Sequence, residues 1–361
     1  MTIEVSRLEI GVGAPLATSL EQSGLPVEPT TTRAGRRWLR SGGAQERSLL
    51  IAGQDGGPVG AGLLVRRPGT ASTTLNGCWA PGGREVVDAL VEAAQAASWA
   101  AGSLLLKVAV DAEDDLTAQV LGARGFAELP TPSVPSPYPH ERRDVPRGFV
   151  LARDGMPVPT MGYMRQTTDF TCGPVAVGMG MAHLGLAPAL DQAAEIGLWR
   201  EATLIGACDP YGLALATVSR SVPTRVVIST LGPILLEDVT QDPSTSRLRT
   251  AIQADFAARA AQAGAVVEHR RLAVDEIGPL VDAGAVVAVL IDQSPMHADA
   301  DPHWIVVHGR LGEVLLANDP WTDEHLGETW VDGSCLAIPL DLMDRLAGYG
   351  DPAYRAVVVL G

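Results

Sequence analysis

Residues 2–10 (TIEVSRLEI) alternate apolar and polar side chains, the period of a strand with one buried face. A short helix is predicted near Pro15–Ser23. Two apolar runs, Ser48–Gln54 and Pro58–Arg66, flank Gly56-Gly57 as the strands of a hairpin do. Thr74–Trp79 reads as another strand. Pro81-Gly82-Gly83 then opens a helical pattern from Arg84 to about Ala101, with Val86, Leu90, Ala93 and Ala97 at helical spacing. Ser103–Val110 is a strongly apolar strand, Asp114–Gly122 an amphipathic helix, and Gly125-Phe126 leads into a short strand. The six prolines from Pro130 to Pro146 predict a loop before a last strand at Gly148–Arg153.

The pattern changes after Gly155-Met156-Pro157-Val158-Pro159, which reads as a linker. The small-residue run Val175–Leu184 predicts a tightly packed, buried helix. Helices are expected near Leu190–Arg200, Gly212–Ser221 and Arg247–Ala263. Strands are expected at Thr224–Thr230, Val266–Leu272, Val286–Asp292, Ile305–His308 and Glu313–Ala317. Two domains follow: an α/β unit over 1–154, and an α+β unit over 155–361 with helices early and an antiparallel sheet late.

The 361 residues are 46% apolar and 19% charged, a globular balance, and aromatics at 4% leave the cores to Ala, Val and Leu. The net charge of −15 is uneven. Residues 1–154 carry 15 basic and 17 acidic side chains, whereas 155–361 carry 12 and 25. A half this acidic repels phosphate backbones and anionic lipid, so neither nucleic acid nor a membrane is expected as a partner. It suits a cationic substrate, and equally plain solubility. No run approaches the ~20 apolar residues of a bilayer span. The first twenty residues lack a basic stretch followed by an apolar one, so a cytoplasmic location is expected. Cys78, Cys172, Cys208 and Cys335 are widely spread, without the spacing of a zinc site or a disulfide framework. Lys107 is the single lysine, which excludes a broad class of lysine-dependent sites.

The order strand, helix, three strands, helix, strand, helix, strand, with Ala118–Phe126 (AQVLGARGF) near its end, resembles the GNAT acyltransferase fold over about 1–154. That resemblance implies a glycine-punctuated loop at a helix N-terminus that binds the coenzyme A pyrophosphate. Here the place holds Trp79-Ala80-Pro81-Gly82-Gly83-Arg84, which is shortened and lacks the basic residue followed by two glycines. Gly82 and Gly83 are either remnants of an anion site or a tight turn, with the turn preferred. A degenerate acyltransferase domain and no bound cofactor are expected.

In the second half, Cys172 precedes Gly-Pro at the start of the buried helix, where the helix dipole favours a thiolate. His303-Trp304-Ile305-Val306-Val307-His308 and Glu313–Asp319 read as a hairpin centred near Arg310–Gly312. Pairs whose numbers sum to about 622 would place His303 opposite Asp319 on one face. A one-residue slip would offer Asn318 or Pro320 instead.

The order Gln166, Cys172, His303, Asp319 resembles papain-like cysteine peptidases. More narrowly, Gln-x5-Cys-Gly, His-Trp and Asn-Asp-Pro resemble the bacteriocin-processing peptidases, family thirty-nine of the cysteine peptidases. Leu198–Thr203 (LWREAT) and Cys208–Ala214 (CDPYGLA) resemble an actinobacterial branch in which such a domain follows a GNAT-like one. The resemblance implies Cys172 as nucleophile, His303 as base and acid, Asp319 as orienter of the imidazole, and Gln166 as oxyanion donor beside the Cys172 backbone N–H.

The cluster His297, Asp299, Asp301, His303 reads as an acidic active-site loop rather than a metal site, and no metal is expected. His308 is expected to be structural, Asp169 to anchor a turn, and Cys208 either to approach the site or to be a buried structural thiol. Thiol-dependent cleavage of a peptide or small amide, as peptide tailoring in specialised metabolism, is the first functional expectation. Transfer or cyclisation through the same acyl-enzyme is the second, and a non-catalytic binding protein the third. The oligomeric state stays open.

Overall fold

The computed structural model describes residues 3–22, 24–26, 31–133, 145–297 and 301–361. Two seven-stranded sheets form. The first runs β1-β2-β3-β4-β5-β7-β6, from β1 (Glu4–Ile10), β2 (Glu46–Gln54), β3 (Gly57–Arg66), β4 (Ser72–Trp79), β5 (Leu105–Val110), β6 (Ala127–Glu128) and β7 (Arg147–Ala152). Only β4 and β5 pair in parallel within it. The crossover between them is the helix α3 (Arg84–Ala100), as a parallel pair requires. One face of the sheet packs on α3 and α4 (Asp115–Ala123) through Val86, Leu90, Leu106 and Val108. Part of the other carries α1 (Leu16–Gln22) and α2 (Arg33–Arg40) through Leu16, Trp38 and Leu63.

Helix α2 (RAGRRWLR) has no counterpart in the sequence reading, because its four arginines mask a short apolar stripe. In the structure Trp38 is buried and Arg37 is neutralised by Asp111 at 2.8 Å. At the candidate coenzyme A loop, Gly83 N–H donates to Ala80 O at 3.1 Å, so Ala80–Gly83 is a hydrogen-bonded turn. The proline-rich stretch expected as a loop lies partly, over 134–144, outside the described residues.

The second sheet runs β13-β12-β11-β10-β14-β8-β9, from β8 (Thr224–Ile228), β9 (Val266–His269), β10 (Val286–Asp292), β11 (Pro302–Leu311), β12 (Val314–Asn318), β13 (Leu336–Pro339) and β14 (Ala356–Leu360). It is antiparallel except at its edge, where β8 and β9 pair in parallel, a correction to the expected all-antiparallel sheet. Helix α5 (Cys172–His183) covers one face with α6 (Gln192–Ala202), α7 (Pro210–Val218) and α8 (Pro243–Gln262). The short helices α9 (Ile277–Asp282) and α11 (Leu340–Leu346) cover the other, and α10 (Trp330–Gly333) lies between β12 and β13. Among the described residues, no helix is long and apolar enough to cross a membrane.

The two sheets share one core. Every residue of β5 is buried: Leu106, Val108 and Val110 face α3 and α4, while Leu105 and Ala109 join the cluster around α5. Lys107 points the same way as Leu105, and its Nζ donates to Asp332 O and Ser334 O at 2.8 Å each. The single lysine is thus a buried strut between the halves, and burial pushes it down to about 8. Ala71 N–H also donates to Ala337 O at 2.8 Å, and Trp330 Nε1 to Pro146 O at 2.8 Å.

Candidate active site

Cys172 is the first residue of α5, and the ten residues from Cys172 to Met181 are all buried. Small residues let this helix press onto the sheet. A Cβ at Gly173 would come within 3.1 Å of Cys208 Cβ, Leu213 and Trp304, so any larger residue after the nucleophile would have to push these neighbours back. Pro174 fits the first turn, where the helix has no use for an N–H. The preceding loop hangs on Glu195 of α6, a residue absent from the sequence reading. This fully buried carboxylate accepts from Thr167 N–H (2.7 Å), Thr167 Oγ1 (2.9 Å) and Thr171 Oγ1 (2.5 Å). Burial raises its pKa even so. Asp169 was expected to anchor this turn. It is exposed, and Thr168 and Thr171 make the turn's hydrogen bonds instead.

His303 stands near the start of β11, opposite Ile291 of β10. Its Nε2 meets Asp319 Oδ1 at 2.7 Å. The contact matches the expectation, but the expected register does not. The turn is Gly312-Glu313, tighter and later than assumed, and Leu311 pairs with Val314. A bulge at His308 shifts the ladder, so that Val306 faces Asn318. Asp319 therefore lies beyond the strand end, and reaches His303 from a turn fixed by Asp319 N–H to Gly333 O (2.8 Å) and Tyr163 OH to Asp319 O (2.9 Å). A Cβ at Gly333 would sit 2.6 Å from that carbonyl.

With Nε2 occupied by Asp319, Nδ1 is the ring nitrogen left to serve Cys172, whose thiol also acts on the His303 imidazole. Burial disfavours the imidazolium, but Asp319 and Cys172 outweigh it and push His303 up to about 10. Burial would likewise raise Asp319; His303, Arg67 and His297 together hold its carboxyl well below the usual range. Asp319 Oδ1 also accepts from Trp321 N–H at 2.8 Å.

Gln166 is buried on the loop before α5, and its backbone N–H donates to Pro320 O at 3.0 Å, tying it to the residue after Asp319. Its Nε2 donates to Thr168 O at 2.8 Å, which leaves one amide N–H uncommitted. The structure thus brings Cys172, His303 and Asp319 together, with Gln166 joined to the same turn.

Residues 161–361, more than half of the chain, match the Peptidase_C39 like family. The chain belongs to that family. Over its N-terminal portion, this Peptidase_C39 like chain is similar to solved GNAT proteins. An IAA acetyltransferase from Bacillus cereus is 13% identical, over 42% of this chain and 100% of that one, with a TM-score of 0.31. The ribosomal-protein-S18-alanine N-acetyltransferase from Escherichia coli is 14% identical, over 43% and 99%, with a TM-score of 0.27. A tandem GNAT protein from the clavulanic acid biosynthesis pathway is 19% identical, over 35% and 44%, with a TM-score of 0.27. No curated protein matches this chain.

The other candidates described serve the fold, His297 excepted. Cys208 is fully buried behind Gly173, and its carbonyl accepts from Trp304 Nε1 at 3.1 Å, a structural placement. His308 packs beside His183, ring centroids 6.2 Å apart, and burial with that neighbour pushes it down to about 3. Asn318 holds Cys335 N–H at 2.9 Å and so serves the fold. Asp299 lies outside the described residues. His297 does reach the site, with Nε2 3.7 Å from Asp319 Oδ2, too long for a hydrogen bond but within ion-pair range.

Proposed function

We propose that this Peptidase_C39 like protein opens an amide bond through an acyl-enzyme on Cys172. The observation that carries the reading is the 2.7 Å bond between His303 Nε2 and Asp319, which leaves Nδ1 for the thiol and favours the charged imidazole. An imidazolium beside Cys172 at a helix N-terminus favours thiolate. The thiolate attacks the carbonyl carbon, and the oxyanion receives the Cys172 backbone N–H and the free Gln166 amide N–H. His303 gives its proton to the leaving amine as the tetrahedral adduct collapses to the thioester. It then takes a proton from the incoming nucleophile. Phe170, two residues before Cys172, and Ile205 are both more than half exposed and offer apolar surface for a substrate side chain.

The test is intact-mass spectrometry of the full chain after mixing with a library of acylated peptide amides. The reading expects an acyl adduct on Cys172 that is absent in Cys172→Ala, with both proteins giving the same circular dichroism. Breakdown to free acid marks a peptidase or amidase, and breakdown to an amine conjugate marks a transferase. An adduct on another cysteine, or turnover surviving Cys172→Ala, refutes the assignment.

A further inference from the structure

The carboxylate that holds His303 is itself held by the other sheet. Arg67 follows β3, at the first position of a turn Arg67-Pro68-Gly69-Thr70. Thr70 N–H and Oγ1 close this turn on Arg67 O at 3.2 and 2.8 Å. Pro68 and Gly69 (φ +73°) suit its two central positions. From this fixed base the guanidinium passes into the second half. Its Nη1 donates to Asp319 Oδ2 at 2.5 Å. Its Nε and Nη2 grip Glu328 at 2.9 and 2.7 Å, and Nη2 also reaches Trp321 O at 3.1 Å. All three charged side chains are no more than 3% exposed.

We propose that Arg67, supplied by the GNAT-like half, is a positioning residue for the thiol site: it fixes Asp319 so that Oδ1 meets His303. The proposal rests on reading Cys172, His303 and Asp319 as the reacting set. Two observations support it beyond the contact. The first is geometric. Asp319 lies past the end of β12, where no ladder bond orients it, and the planar fork of an arginine sets the spacing of two carboxylates as a lysine cannot. The second is charge balance. Asp319 and Glu328 are buried anions, and Arg67 with the His303 imidazolium neutralises both. Remove Arg67, and the two carboxylates face each other in a dry site with the imidazolium and Lys107 as the buried cations that remain, which favours a proton on one of them. Burial already opposes the charge on Glu328, and Arg67 overrides it to bring that group down to about 2.

The groups facing Asp319 are His303 from β11, His297 from the segment after β10, Arg67 from the first sheet and Tyr163 before α5. Glu328 and Asp332 stand behind Arg67. The thiol half is therefore incomplete without the N-terminal sheet.

The test is the rate of Cys172 alkylation by iodoacetamide against pH, read by mass spectrometry on the full chain. Arg67→Met leaves two facing carboxylates, so Arg67→Met/Glu328→Gln accompanies it to preserve folding. Asn76→Ala, which removes the bond from Asn76 Nδ2 to Gly327 O at the same interface and the one from Arg37 Nε to Asn76 Oδ1, without touching Asp319, is the control. The proposal expects at least a tenfold slower reaction at pH 7 in the folded double variant. It also expects a new inflection between pH 5 and 8 in Arg67→Met, partial recovery in Arg67→Lys, and Asn76→Ala within twofold of the parent. Parent-like rates and profile in the Arg67 variants, or equal slowing in Asn76→Ala, overturn it. Failure of the underlying reading looks different: the parent itself would then label Cys172 no faster than Cys78, Cys208 and Cys335.

Discussion

Replacing Asp319 by Asn keeps its shape and removes its charge, and the surrounding donors make the outcome calculable. Oδ1 accepts from His303 and from Trp321 N–H, while Oδ2 accepts from Arg67. Every partner is a donor. An asparagine has one acceptor oxygen, so whichever way its amide turns, an NH2 group meets a donor. With its oxygen on Arg67, the NH2 faces His303 Nε2. That nitrogen must then become the acceptor, and the proton moves to Nδ1, the wrong tautomer for accepting a thiol proton. The charge works in the same direction. Burial alone lowers the pKa of His303, and Asp319, with a smaller part from Cys172, lifts it from 6.5 to about 10. Without the anion burial regains weight and the imidazolium is disfavoured at pH 7. A fall in acylation rate of roughly 10³–10⁴ follows, as for the orienting carboxylate of a serine triad. Long-range proton–nitrogen correlation spectra of the imidazole read the cause directly. The parent shows both His303 nitrogens protonated at pH 7, and Asp319→Asn shows one. A variant that stays doubly protonated, or that labels Cys172 at the parent rate, refutes the reasoning.

Three further outcomes are expected. Glu195→Ala removes the acceptor shared by three donors in the loop before Cys172, of which Thr171 Oγ1 keeps Thr168 O, and should destabilise by about 2–5 kcal/mol in urea unfolding, whereas Glu195→Gln should lose less. His308, at about 3 in the folded protein against 6.5 unfolded, binds its proton only on unfolding. Its contribution is thus complete above 6.5 and shrinks as pH falls toward 3, by about 2 kcal/mol at pH 5; in His308→Gln the difference between melts at pH 7 and pH 5 should narrow accordingly. Acetyl coenzyme A should show no micromolar binding by calorimetry, because the Ala80–Gly83 turn spends the Gly83 N–H internally; heat of binding at micromolar ligand would restore an acyltransferase role to the first sheet.

Much of the architecture is written in local pattern. The β2–β3 hairpin, the α3 periodicity and the small-residue helix α5 all carry their signals within a dozen residues or so, and they form where those signals stand. The partnership of His303 with Asp319 was legible from order and residue type, although the ladder that was to explain it runs in a different register. Bulges carry no such signal, so the one at His308 was silent in the sequence. The supports of the site were illegible for another reason. Arg67, Lys107 and Glu328 are ordinary charged residues in their own segments, and acquire meaning only when two sheets distant in sequence close on each other. Glu195 carries no mark in its own segment, and it is fully buried.

The central claim is that Cys172 is activated by the charged His303–Asp319 pair. Competitive alkylation of the folded chain with limiting iodoacetamide at pH 6 and pH 8 tests it most directly. Burial and Asp114 push Cys78 up to about 12, and burial raises Cys208 and Cys335 as well. Cys172 should therefore react first by at least tenfold at both pH values, since His303 stays charged up to about 10. Four cysteines reacting alike, or Cys172 trailing any of the other three, would contradict the account.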